Sequence, residues 1–566
     1  MTFSAYLIGC LYLTASAIAS PILSNMAIHH PVMGTRGMVV SQEAQATRIG
    51  TDILRAGGNA IDAAVAVGFA LAVTHPQAGN LGGGGFMMIH IASENKTVAL
   101  DFRESAPAAA HADLFLDPDG TVNTNQARFS TQSSGVPGSV HGLLTALDHY
   151  GTLPRKRIIA PAIRLAKRGF PVSQPLALSL KTAQDRLAKD PYISAIFYPN
   201  NQPPNPGAPF VQTDLAKTLS RISKHGTAGF YTGKTARAID QFMRDTNGLI
   251  TTTDLSNYRS ITRQPIHIQY RGQHIYTMPL PSSGGIIMAQ ILKLIEPFPL
   301  KTWGPNSAKT IHAMAEAMQL AYADRAEWLG DSDFVTVPVQ QLLSESYLNR
   351  RRNHINLSQH TPSIDTVPGQ PYDSDETTHY SVMDRWGNAV SVTTTLNFSY
   401  GSGIGIPGTG VLLNNEMDDF SAKPGEPNAY GLLGNAQNAI APNKRMLSSM
   451  TPTLVLDDTG VVLVTGSPGG SRIITTVTQL ISNVIDHGMP LAHATASGRF
   501  HHQGWPDTLR IEPYGLSPDT QTALTQRGHT LVTQPVMGST QSIMKHSGIL
   551  YGASDPRTPS GLAQGY

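Results

Sequence analysis

The 566-residue chain contains little cysteine and little charge. Its single cysteine, Cys10, cannot form an internal disulfide, and its position at the extreme N-terminus gives no basis for thiol catalysis. The formal net charge is +2 and no long basic run occurs, so the electrostatic signature of nucleic-acid binding is missing. No run approaches ~20 consecutive apolar residues, which excludes a membrane-spanning helix anchor. A hydrophobic content of 40 % instead fits a globular protein with a large core.

The N-terminus has the pattern of an export signal. Residues 5–18 are apolar but too short to anchor in a bilayer, and Ala17-Ile18-Ala19 is a small-x-small cleavage sequence. The pattern predicts a signal peptide over residues 1–19 and an exported protein, periplasmic or secreted. One feature departs from the usual signal, because no Lys or Arg precedes the apolar run. The alternatives are a disordered or core N-terminus, or lipid attachment at Cys10, which lies too early in the chain.

Strand patterns lie towards both ends of the chain and helical patterns fill the middle. Ser41 and Asn59 are expected to cap helices ending near Ala56 and Val73, and residues 308–326 show clear helical periodicity. Strands are expected at residues 86–92, 97–102, 266–278, 452–456 and 461–465, followed by a helix to about Asp486. This distribution predicts a layered α+β fold.

A segment with the pattern of a linker precedes Thr377. Residues 353–376 carry three prolines and no hydrophobic periodicity, which makes them the best linker candidate. Two alternating runs follow, residues 380–383 and 389–392, and predict a central β-hairpin. If the chain is cut between Glu376 and Thr377, the new α-amine can act as base for the hydroxyl of the same residue. The alternative is a purely structural threonine at a strand start.

Neighbouring polar residues can support such a nucleophile. Thr395 and Asn397 end the return strand of the hairpin, which antiparallel pairing brings beside Thr377. Gly469 and Gly470 lie between a strand and a helix, where backbone N–H groups can bind an oxyanion. The alternatives are a packing pair of threonines and an ordinary tight turn; nucleotide binding is disfavoured because no P-loop lysine follows.

Two groups of charged and polar residues match the two charges of an α-amino acid. The first is acidic and can receive an ammonium group; it comprises Glu416, Asp418 and Asp419. The second can bind a carboxylate and comprises Arg103, Ser448 and Ser449. A solvated or calcium-type loop is the alternative for the first group, although the EF-hand spacing is absent, and a surface ion pair is the alternative for Arg103.

The histidines and the first glycine run are expected to be structural. The adjacent pairs His29-His30 and His501-His502 lack the i, i+4 spacing of metal ligands, and His379 alternates with core residues, so no metal site is predicted. Residues 80–86 have no helix after them, so close backbone packing is expected there rather than phosphate binding.

At this point the sequence resembles a known family. The segment Thr377-Thr378-His379-Tyr380-Ser381-Val382 is similar to the processing site of the γ-glutamyltransferases, which are amino-terminal-nucleophile hydrolases. The resemblance continues through residues 80–86, 101–104, 395–397, 412–420, 447–450, 465–472, 537–541 and 551–557. It therefore covers nearly everything after the signal.

The resemblance implies a four-layer αββα sandwich and a precursor, or zymogen, that cleaves itself at Glu376-Thr377. The products would be a large subunit of residues 20–376 and a small catalytic subunit of residues 377–566, which stay together as one heterodimeric unit. Thr377 would be the nucleophile and its α-amine the base, with Thr395 supporting the hydroxyl. Gly469 and Gly470 would bind the oxyanion. The remaining roles implied are α-carboxylate binding by Arg103, Ser448 and Ser449, α-amine binding by Asn397, Glu416 and Asp419, and a lid formed by Tyr430.

The reaction implied is transfer of the γ-glutamyl group of glutathione or other γ-glutamyl compounds through an enzyme ester. The acceptor would be water, an amino acid or a dipeptide, with no cofactor and no metal. Several bacterial relatives carry Gln in place of Glu416, and both residues suit an ammonium ligand. Two alternatives remain: a related cephalosporin or glutaryl acylase, and an exported protein that is never processed and is inert.

Overall fold

Two seven-stranded antiparallel sheets lie face to face between two layers of helices in the computed structural model. The structure describes residues 28–79, 81–363 and 377–566, so the predicted signal peptide, Asn80 and Glu376 lie outside the described residues. Helices and sheets in this arrangement confirm the predicted α+β class and the αββα layering. Within the described residues, no helix has both the length and the hydropathy needed to span a membrane.

The strands are β1 (Val32–Gly34), β2 (Gly37–Ser41), β3 (Gly84–Ile91), β4 (Lys96–Phe102), β5 (Phe170–Pro171), β6 (Pro209–Phe210), β7 (Ile261–Arg263), β8 (Ile266–Tyr270), β9 (Gln273–Thr277), β10 (Thr377–Asp384), β11 (Ala389–Thr395), β12 (Gly405–Ile406), β13 (Val411–Leu412), β14 (Thr453–Asp457), β15 (Gly460–Thr465), β16 (Phe500–His501), β17 (Leu509–Ile511), β18 (Leu531–Thr533), β19 (Gln541–His546), β20 (Ile549–Ser554) and β21 (Leu562–Gly565).

The α-helices are α1 (Ala44–Arg55), α2 (Ala60–Thr74), α3 (Thr124–Phe129), α4 (Ser139–Tyr150), α5 (Arg155–Arg168), α6 (Gln174–Leu187), α7 (Pro191–Phe197), α8 (Thr213–His225), α9 (Ala228–Tyr231), α10 (Gly233–Asp245), α11 (Thr252–Asn257), α12 (Gly284–Ile295), α13 (Leu300–Trp303), α14 (Ala308–Trp328), α15 (Val339–Leu342), α16 (Glu345–Arg352), α17 (Ile473–Ile485), α18 (Leu491–Ala496) and α19 (Pro518–Gln526).

The predicted hairpin is the centre of the first sheet, whose order is β21-β2-β10-β11-β3-β4-β7. Strands β10 and β11 pair antiparallel with Thr377 opposite Thr395, which confirms the predicted pairing. Strand β2 flanks β10 and strand β3 flanks β11, so the hairpin has no free edge. A hairpin that is hydrogen-bonded to a further strand on each side is a rigid platform for a reactive side chain.

The alternation of side chains along β10 determines where Thr377 points. Tyr380 and Val382 belong to the core shared with α2, whereas the Ser381 hydroxyl donates a hydrogen bond to the Gln541 carbonyl of the second sheet. Successive side chains on a strand point to opposite faces. Thr377 therefore faces the space between the sheets, on the same side as Ser381.

The second sheet has the order β1-β20-β19-β15-β14-β9-β8 and is covered on its outer side by helices that include α12 and α18. Its β8 and β9 correct one expectation, because residues 266–278 form a hairpin rather than one strand. The chain reverses at Arg271 and Gly272, which adopt φ values of 50° and 80°. The turn lacks the usual Asn-Gly or Asp-Gly signal, so the hydrophobic pattern alone did not reveal it.

The first two helices start close to the predicted positions. Asn59 caps α2, as predicted, and it also forms a capping box with Asp62. The expected cap Ser41 is wrong: Ser41 ends β2, and the Glu43 carboxylate accepts hydrogen bonds from the N–H groups of Gln45 and Ala46. Glutamate is a less common cap than serine, which explains the error.

The first glycine run packs closely against the backbone, as predicted. A Cβ on Gly82 would lie 2.0 Å from the Leu412 carbonyl oxygen, and one on Gly83 would lie 2.1 Å from that of Thr395. Only glycine fits at such distances. This contact fixes the end of β11 that carries Thr395.

Candidate active site

Thr377 begins β10 at the edge of a cleft between the sheets. Its hydroxyl donates to the Thr395 hydroxyl at 3.4 Å, and the Thr395 hydroxyl accepts the Asn397 N–H at 2.8 Å. Asn397 is held at φ 73°, in the left-handed region, which turns its backbone N–H back towards β11. The register of the hairpin thus places a second, oriented hydroxyl beside that of Thr377.

The cleft brings most of the predicted site residues together. Its lining comprises Arg103, Thr377, Thr395, Asn397, Glu416, Asp419, Tyr430, Ser448, Ser449 and Gly470, together with Arg325, Leu432, Leu447, Met450, Ser471 and Ile473. Two residues singled out from the sequence do not line it. Gly469 lies directly before Gly470, and Asp418 pairs instead with Arg128 at 3.2 Å.

Gly469 and Gly470 leave β15 in conformations that favour glycine, with φ values of 131° and 53°. Within the described part of the chain, neither backbone N–H donates a hydrogen bond. Gly470 begins a short 3-10 turn that leads into α17, so its N–H lies at the positive end of a helical segment. Such a pair of donors is suited to an oxyanion.

Arg103 is buried at the base of the cleft and contacts three carboxylates. Its guanidinium nitrogens lie 2.5 Å from Glu416, 2.5 Å from Asp419 and 3.6 Å from Glu104. The alternative of a surface ion pair is therefore wrong, since the Arg103 side chain is only 1 % exposed. The groups expected to bind a carboxylate and an ammonium therefore lie in direct contact with each other.

Burial shifts the protonation of this cluster. Desolvation raises the pKa of Glu104 to about 7 and raises the pKa values of Glu416 and Asp419, although Arg103 opposes each shift. Desolvation alone would lower the pKa of Arg103. The nearby carboxylates together have the larger effect, so the pKa of Arg103 is raised and the guanidinium stays charged. Neither Glu416 oxygen makes a well-aligned hydrogen bond within the described residues. A bound ammonium group would supply the missing donors.

Tyr430 covers one side of the cleft. Its hydroxyl donates to the Asn397 side-chain oxygen at 2.6 Å. Its ring packs so closely against Gly470 that a Cβ on Gly470 would lie 2.6 Å from the nearest ring carbon. Asn397 in turn donates from its amide nitrogen to the Asn415 carbonyl. Tyr430 therefore contacts residues on both sides of Thr377, a position from which it can limit access of water.

The two serines Ser448 and Ser449 also line the cleft. The Ser448 hydroxyl accepts the Met450 N–H at 3.1 Å, and its carbonyl accepts from Ser283. Ser449 lines the cleft with its side chain 9 % exposed. Ser448 and Ser449 thus line the same cleft as Arg103, and serine hydroxyls together with a guanidinium can bind a carboxylate.

Arg325 is a charged residue of the cleft that sequence reasoning missed. It lies near the end of α14, its Nε donates to the Ser283 hydroxyl at 3.0 Å, and the residue is 5 % exposed. The helical periodicity indicated that α14 packs in the core. The only sequence signal for a site residue here was an arginine within an otherwise apolar pattern. Glu104 was missed for the same reason, since it directly follows a buried strand.

His379 is structural, as expected. Its Nδ1 lies 2.9 Å from the Thr393 hydroxyl and its Nε2 3.2 Å from the Ser381 hydroxyl. Burial lowers the pKa of His379 to about 3, so the imidazole is neutral. It does not line the cleft and is not placed to serve Thr377 as a base.

Comparison with known proteins identifies the family. The family model described as Gamma-glutamyltranspeptidase matches residues 46–565. The glutathione hydrolase proenzyme of Escherichia coli strain K12 is 50 % identical over 573 aligned positions, which cover 100 % of this chain and 98 % of that protein.

Solved structures agree with this assignment. The cephalosporin acylase of Bacillus halodurans superposes with a TM-score of 0.84 at 28 % identity and covers 95 % of this chain and 97 % of that one. The gamma-glutamyltranspeptidase of Helicobacter pylori gives a TM-score of 0.55 at 44 % identity, covering 56 % of this chain and 91 % of that one. The chain belongs to the gamma-glutamyltranspeptidase family.

Proposed function

We propose that the protein is a γ-glutamyltransferase and glutathione hydrolase that acts through Thr377. The observation that carries this proposal is the position of the Thr377 hydroxyl, in one cleft with the contacting cluster of Arg103, Glu416 and Asp419. A nucleophile and a zwitterion-binding cluster in one cleft fit a substrate whose reactive amide lies a few bonds from an α-amino-acid head.

The active form arises by cleavage before Thr377. In the precursor, the Thr377 hydroxyl attacks the Glu376 carbonyl, and the peptide bond is replaced by an ester that water hydrolyses. The products are a large subunit of residues 20–376 and a small subunit of residues 377–566. Cleavage gives Thr377 the α-amine that activates its hydroxyl.

The reaction of the substrate then has two steps, formation of an ester on Thr377 and transfer of its γ-glutamyl group. The Thr377 oxygen attacks the γ-carbonyl carbon of glutathione while its proton passes to the α-amine, and the oxyanion accepts N–H bonds from Gly469 and Gly470. The C–N bond breaks, the α-amine returns the proton to the leaving cysteinylglycine nitrogen, and a γ-glutamyl ester remains on Thr377. Water, an amino acid or a dipeptide attacks that ester and regenerates the hydroxyl.

The charged cluster holds the glutamyl head during both steps. The α-carboxylate binds Arg103 in the bidentate geometry that a guanidinium favours, with hydroxyl donors from Ser448 and Ser449. The α-ammonium binds Glu416, Asp419 and the Asn397 side-chain oxygen. Binding of both charges exchanges part of the existing ion pairs for bonds to the ligand, so the buried charges remain paired.

Tyr430 and Thr395 complete the proposed site. Thr395 orients the nucleophile through its hydroxyl, and Tyr430 acts as a lid that slows hydrolysis relative to transfer. The Tyr430 hydroxyl already bonds Asn397, so lid closure and binding of the α-ammonium are coupled through one side chain.

A related acylase activity is the second candidate, because the superposing Bacillus halodurans structure is described as a cephalosporin acylase. The two functions differ at the α-amine, which a glutaryl group lacks. Hydrolysis of γ-glutamyl-p-nitroanilide and glutaryl-p-nitroanilide by the purified protein separates them. We expect turnover of the γ-glutamyl compound only; preference for the glutaryl compound would overturn the proposed function.

Maturation and export are tested on the same preparation. A denaturing gel is expected to show the 60.6 kDa chain replaced by two bands, the smaller of about 20 kDa from its share of 190 residues. N-terminal sequencing of that band is expected to give Thr-Thr-His-Tyr, and of the larger band a start near Ser20. An intact, inactive chain without the smaller band would instead favour the inert alternative.

A further inference from the structure

Six ionisable side chains converge on one side of α14, away from the catalytic cleft. They are His312, Glu316, His360, His502, Asp507 and His529. His312 precedes the cleft residue Arg325 by 13 positions on α14, which is roughly 20 Å along a helix. The cluster is thus separate from the site of the proposed reaction.

Three of these side chains form a compact set of metal-binding donors. His312 and Glu316 occupy positions i and i+4 of α14 and share one face, and His529 approaches from the turn after α19. One ligand atom from each lies within 4.8 Å of the other two, and the His312 Nδ1 to His529 Nε2 distance is 2.7 Å. All three side chains are buried, with exposures of 1 to 3 %.

The hydrogen bonds of His312 prepare it as a ligand. Its Nε2 lies 2.6 Å from the Asn356 carbonyl oxygen and must donate its proton there, because a carbonyl only accepts. Nδ1 therefore presents its lone pair to His529 and Glu316. A backbone carbonyl that fixes the tautomer of a histidine is the usual support behind a metal-bound imidazole.

His529 is free to adopt the matching tautomer. Its Nδ1 is buried and has no partner among the described residues, so the ring proton can reside there. The Nε2 lone pair then faces the Nδ1 lone pair of His312. Two lone pairs at this distance repel each other unless a proton or a cation lies between them.

The neighbouring set formed by His360, His502 and Asp507 is less suited to a metal. The His502 Nδ1 accepts the Gly504 N–H at 3.1 Å, so the proton of this ring is on Nε2, the atom that faces Asp507. His360 lies between two carboxylates, with Nδ1 2.6 Å from Glu316 and Nε2 3.0 Å from Asp507. His360 therefore orients Glu316, whereas His502 hydrogen-bonds Asp507 rather than a proposed ligand.

We propose that His312 Nδ1, His529 Nε2 and the Glu316 carboxylate bind one divalent transition-metal ion of the zinc type. Two imidazoles and one carboxylate are donors that suit Zn²⁺ and exclude Mg²⁺ or Ca²⁺ as the preferred ion. Tetrahedral Zn²⁺ with bonds of about 2.0–2.2 Å keeps its ligand atoms roughly 3.3–3.6 Å apart, so the histidine pair opens by less than about 1 Å. This site departs from the expectation of no metal.

The ion would hold together parts of the chain that are far apart in sequence. The Thr361 N–H donates to Glu316, the Gln319 side chain donates to the Thr361 carbonyl, and the His360 N–H donates to the Arg527 carbonyl. The site thus fastens the last described residues before the proposed cleavage position. If the proposed cleavage occurs, His529 comes from the small subunit and the other two ligands from the large one.

Calorimetric titration with ZnCl₂ tests the site, using purified protein first stripped with EDTA and then freed of the chelator. We expect one Zn²⁺ per chain with a dissociation constant below about 1 μM. Titration with CoCl₂ is expected to give the intense visible absorption of four-coordinate Co²⁺. The variants His529→Gln and His312→Gln are each expected to weaken Zn²⁺ binding at least about 100-fold, because each removes a directly bound donor.

Two matched variants serve as controls. His274 also lies close to another histidine, with Nδ1 2.9 Å from His267 Nε2, but has no carboxylate in that pair, so His274→Gln is expected to leave Zn²⁺ binding unchanged. His502→Gln is expected to change it less than about 3-fold. Circular dichroism and the extent of chain cleavage establish that each variant folds.

The proposal is overturned by any of three results: no site tighter than about 1 μM in the folded wild-type protein, equal affinity in a folded His529→Gln variant, or loss of the site in His502→Gln alone. The readout is metal binding, so it does not depend on γ-glutamyl turnover. A protein that binds Zn²⁺ as described but fails on glutathione would leave the metal site standing and remove only the proposed function.

Discussion

Thr377 combines a short hydroxyl-bearing side chain with the start of a central strand, and both are needed for the proposed chemistry. Thr377→Ala removes the hydroxyl that would attack Glu376 and is expected to yield an uncleaved chain of 60.6 kDa without γ-glutamyl turnover. Thr377→Ser keeps the oxygen and is the matched control, with cleavage and measurable activity. Cleavage of the alanine variant at the same bond, seen on a denaturing gel, would disprove the role of the hydroxyl.

Arg103 contacts Glu104, Glu416 and Asp419, so its substitution has two expected effects. Loss of the α-carboxylate contacts in Arg103→Ala is expected to raise the KM for glutathione about 100-fold, since a hydrogen bond to a charged group contributes about 1.5–3 kcal/mol. The variant also leaves buried carboxylates unpaired, which costs about 3–5 kcal/mol of stability. Steady-state kinetics and chemical unfolding measure the two effects.

Arg103→Lys separates charge from geometry in the same site. A lysine keeps the positive charge beside Glu416 but lacks the planar fork, so we expect stability close to that of the wild type and a KM raised about 10-fold. An unchanged KM in both variants would place the α-carboxylate elsewhere in the cleft, with Arg325 as the next residue to examine.

Glu104 makes the stability of the protein depend on pH. Burial raises the pKa of Glu104 from 4.5 to about 7, so the folded state binds this proton more tightly than the unfolded chain. The stabilisation from neutral Glu104 is complete below pH 4.5 and is lost as pH rises to about 7. Glu104→Gln cannot ionise, and its free energy of unfolding relative to wild type is expected to rise by a few kcal/mol from pH 5 to pH 8.

Urea unfolding at several pH values measures this difference. The comparison between the two proteins cancels the pKa shifts of the groups that both share and that lie away from Glu104. A difference that is flat over this pH range would mean that Glu104 ionises in the folded protein as it does in water.

At the scale of elements, the end of β11 is held by a glycine contact rather than by side-chain packing. A Cβ on Gly83 would meet the Thr395 carbonyl oxygen at 2.1 Å, and backbone cannot move away as a side-chain tip can. Gly83→Ala is therefore expected to shift Thr395, slow cleavage before Thr377 and cost about 1–3 kcal/mol of stability. Gel analysis of cleavage over time and thermal unfolding report both effects.

Gly120→Asn is a suitable control for Gly83→Ala. Gly120 has a φ of 80° and nothing within 4 Å of a built Cβ, and asparagine tolerates the left-handed region. Normal cleavage and stability are expected in this variant. Equal behaviour of the two variants would show that the contact at Gly83 does not position Thr395.

Most elements of the central sheet could be predicted from the sequence because their signals are local. The alternation in residues 380–392 indicated the hairpin, and Asn59 indicated the start of α2. The turn at Arg271-Gly272 and the cap at Glu43 were missed, since neither residue pair is typical of the structure that it forms. Local sequence patterns thus fail to predict a turn or a helix cap when the residue that forms it is uncommon at that position.

The site was predicted by residue type, but its contacts were not. The sequence indicated carboxylate and ammonium subsites, whereas the structure shows Arg103 in contact with Glu416 across more than 300 residues of chain. Arg325 and the cluster around His529 escaped notice because each is assembled from segments distant in sequence. Hydrophobic periodicity does not reveal which distant segments come into contact. For the cluster around His529, the i, i+4 spacing of His312 and Glu316 was the one signal within a single segment.

For the whole molecule, the topology decides what happens after cleavage. In the first sheet, β2, β3, β4 and β7 precede the proposed cleavage position, whereas β10, β11 and β21 follow it. The order β21-β2-β10-β11-β3-β4-β7 interleaves the two groups, so hydrogen-bonded ladders join them at β21-β2, β2-β10 and β11-β3. Separation of the two polypeptides would require opening these three ladders and also the β1-β20 and β14-β9 ladders of the second sheet.

The two products of cleavage are therefore expected to behave as one folded unit. Gel filtration of the fully cleaved protein in native buffer should give a single peak containing both polypeptides in equal molar amounts. Both should unfold in one urea transition when followed separately, through Trp386 and Trp505 in the small subunit and Trp303 and Trp328 in the large one. The uncleaved Thr377→Ala chain is the control for the elution volume. Elution of a free 190-residue polypeptide without denaturant would contradict the interleaved sheet as the basis of association.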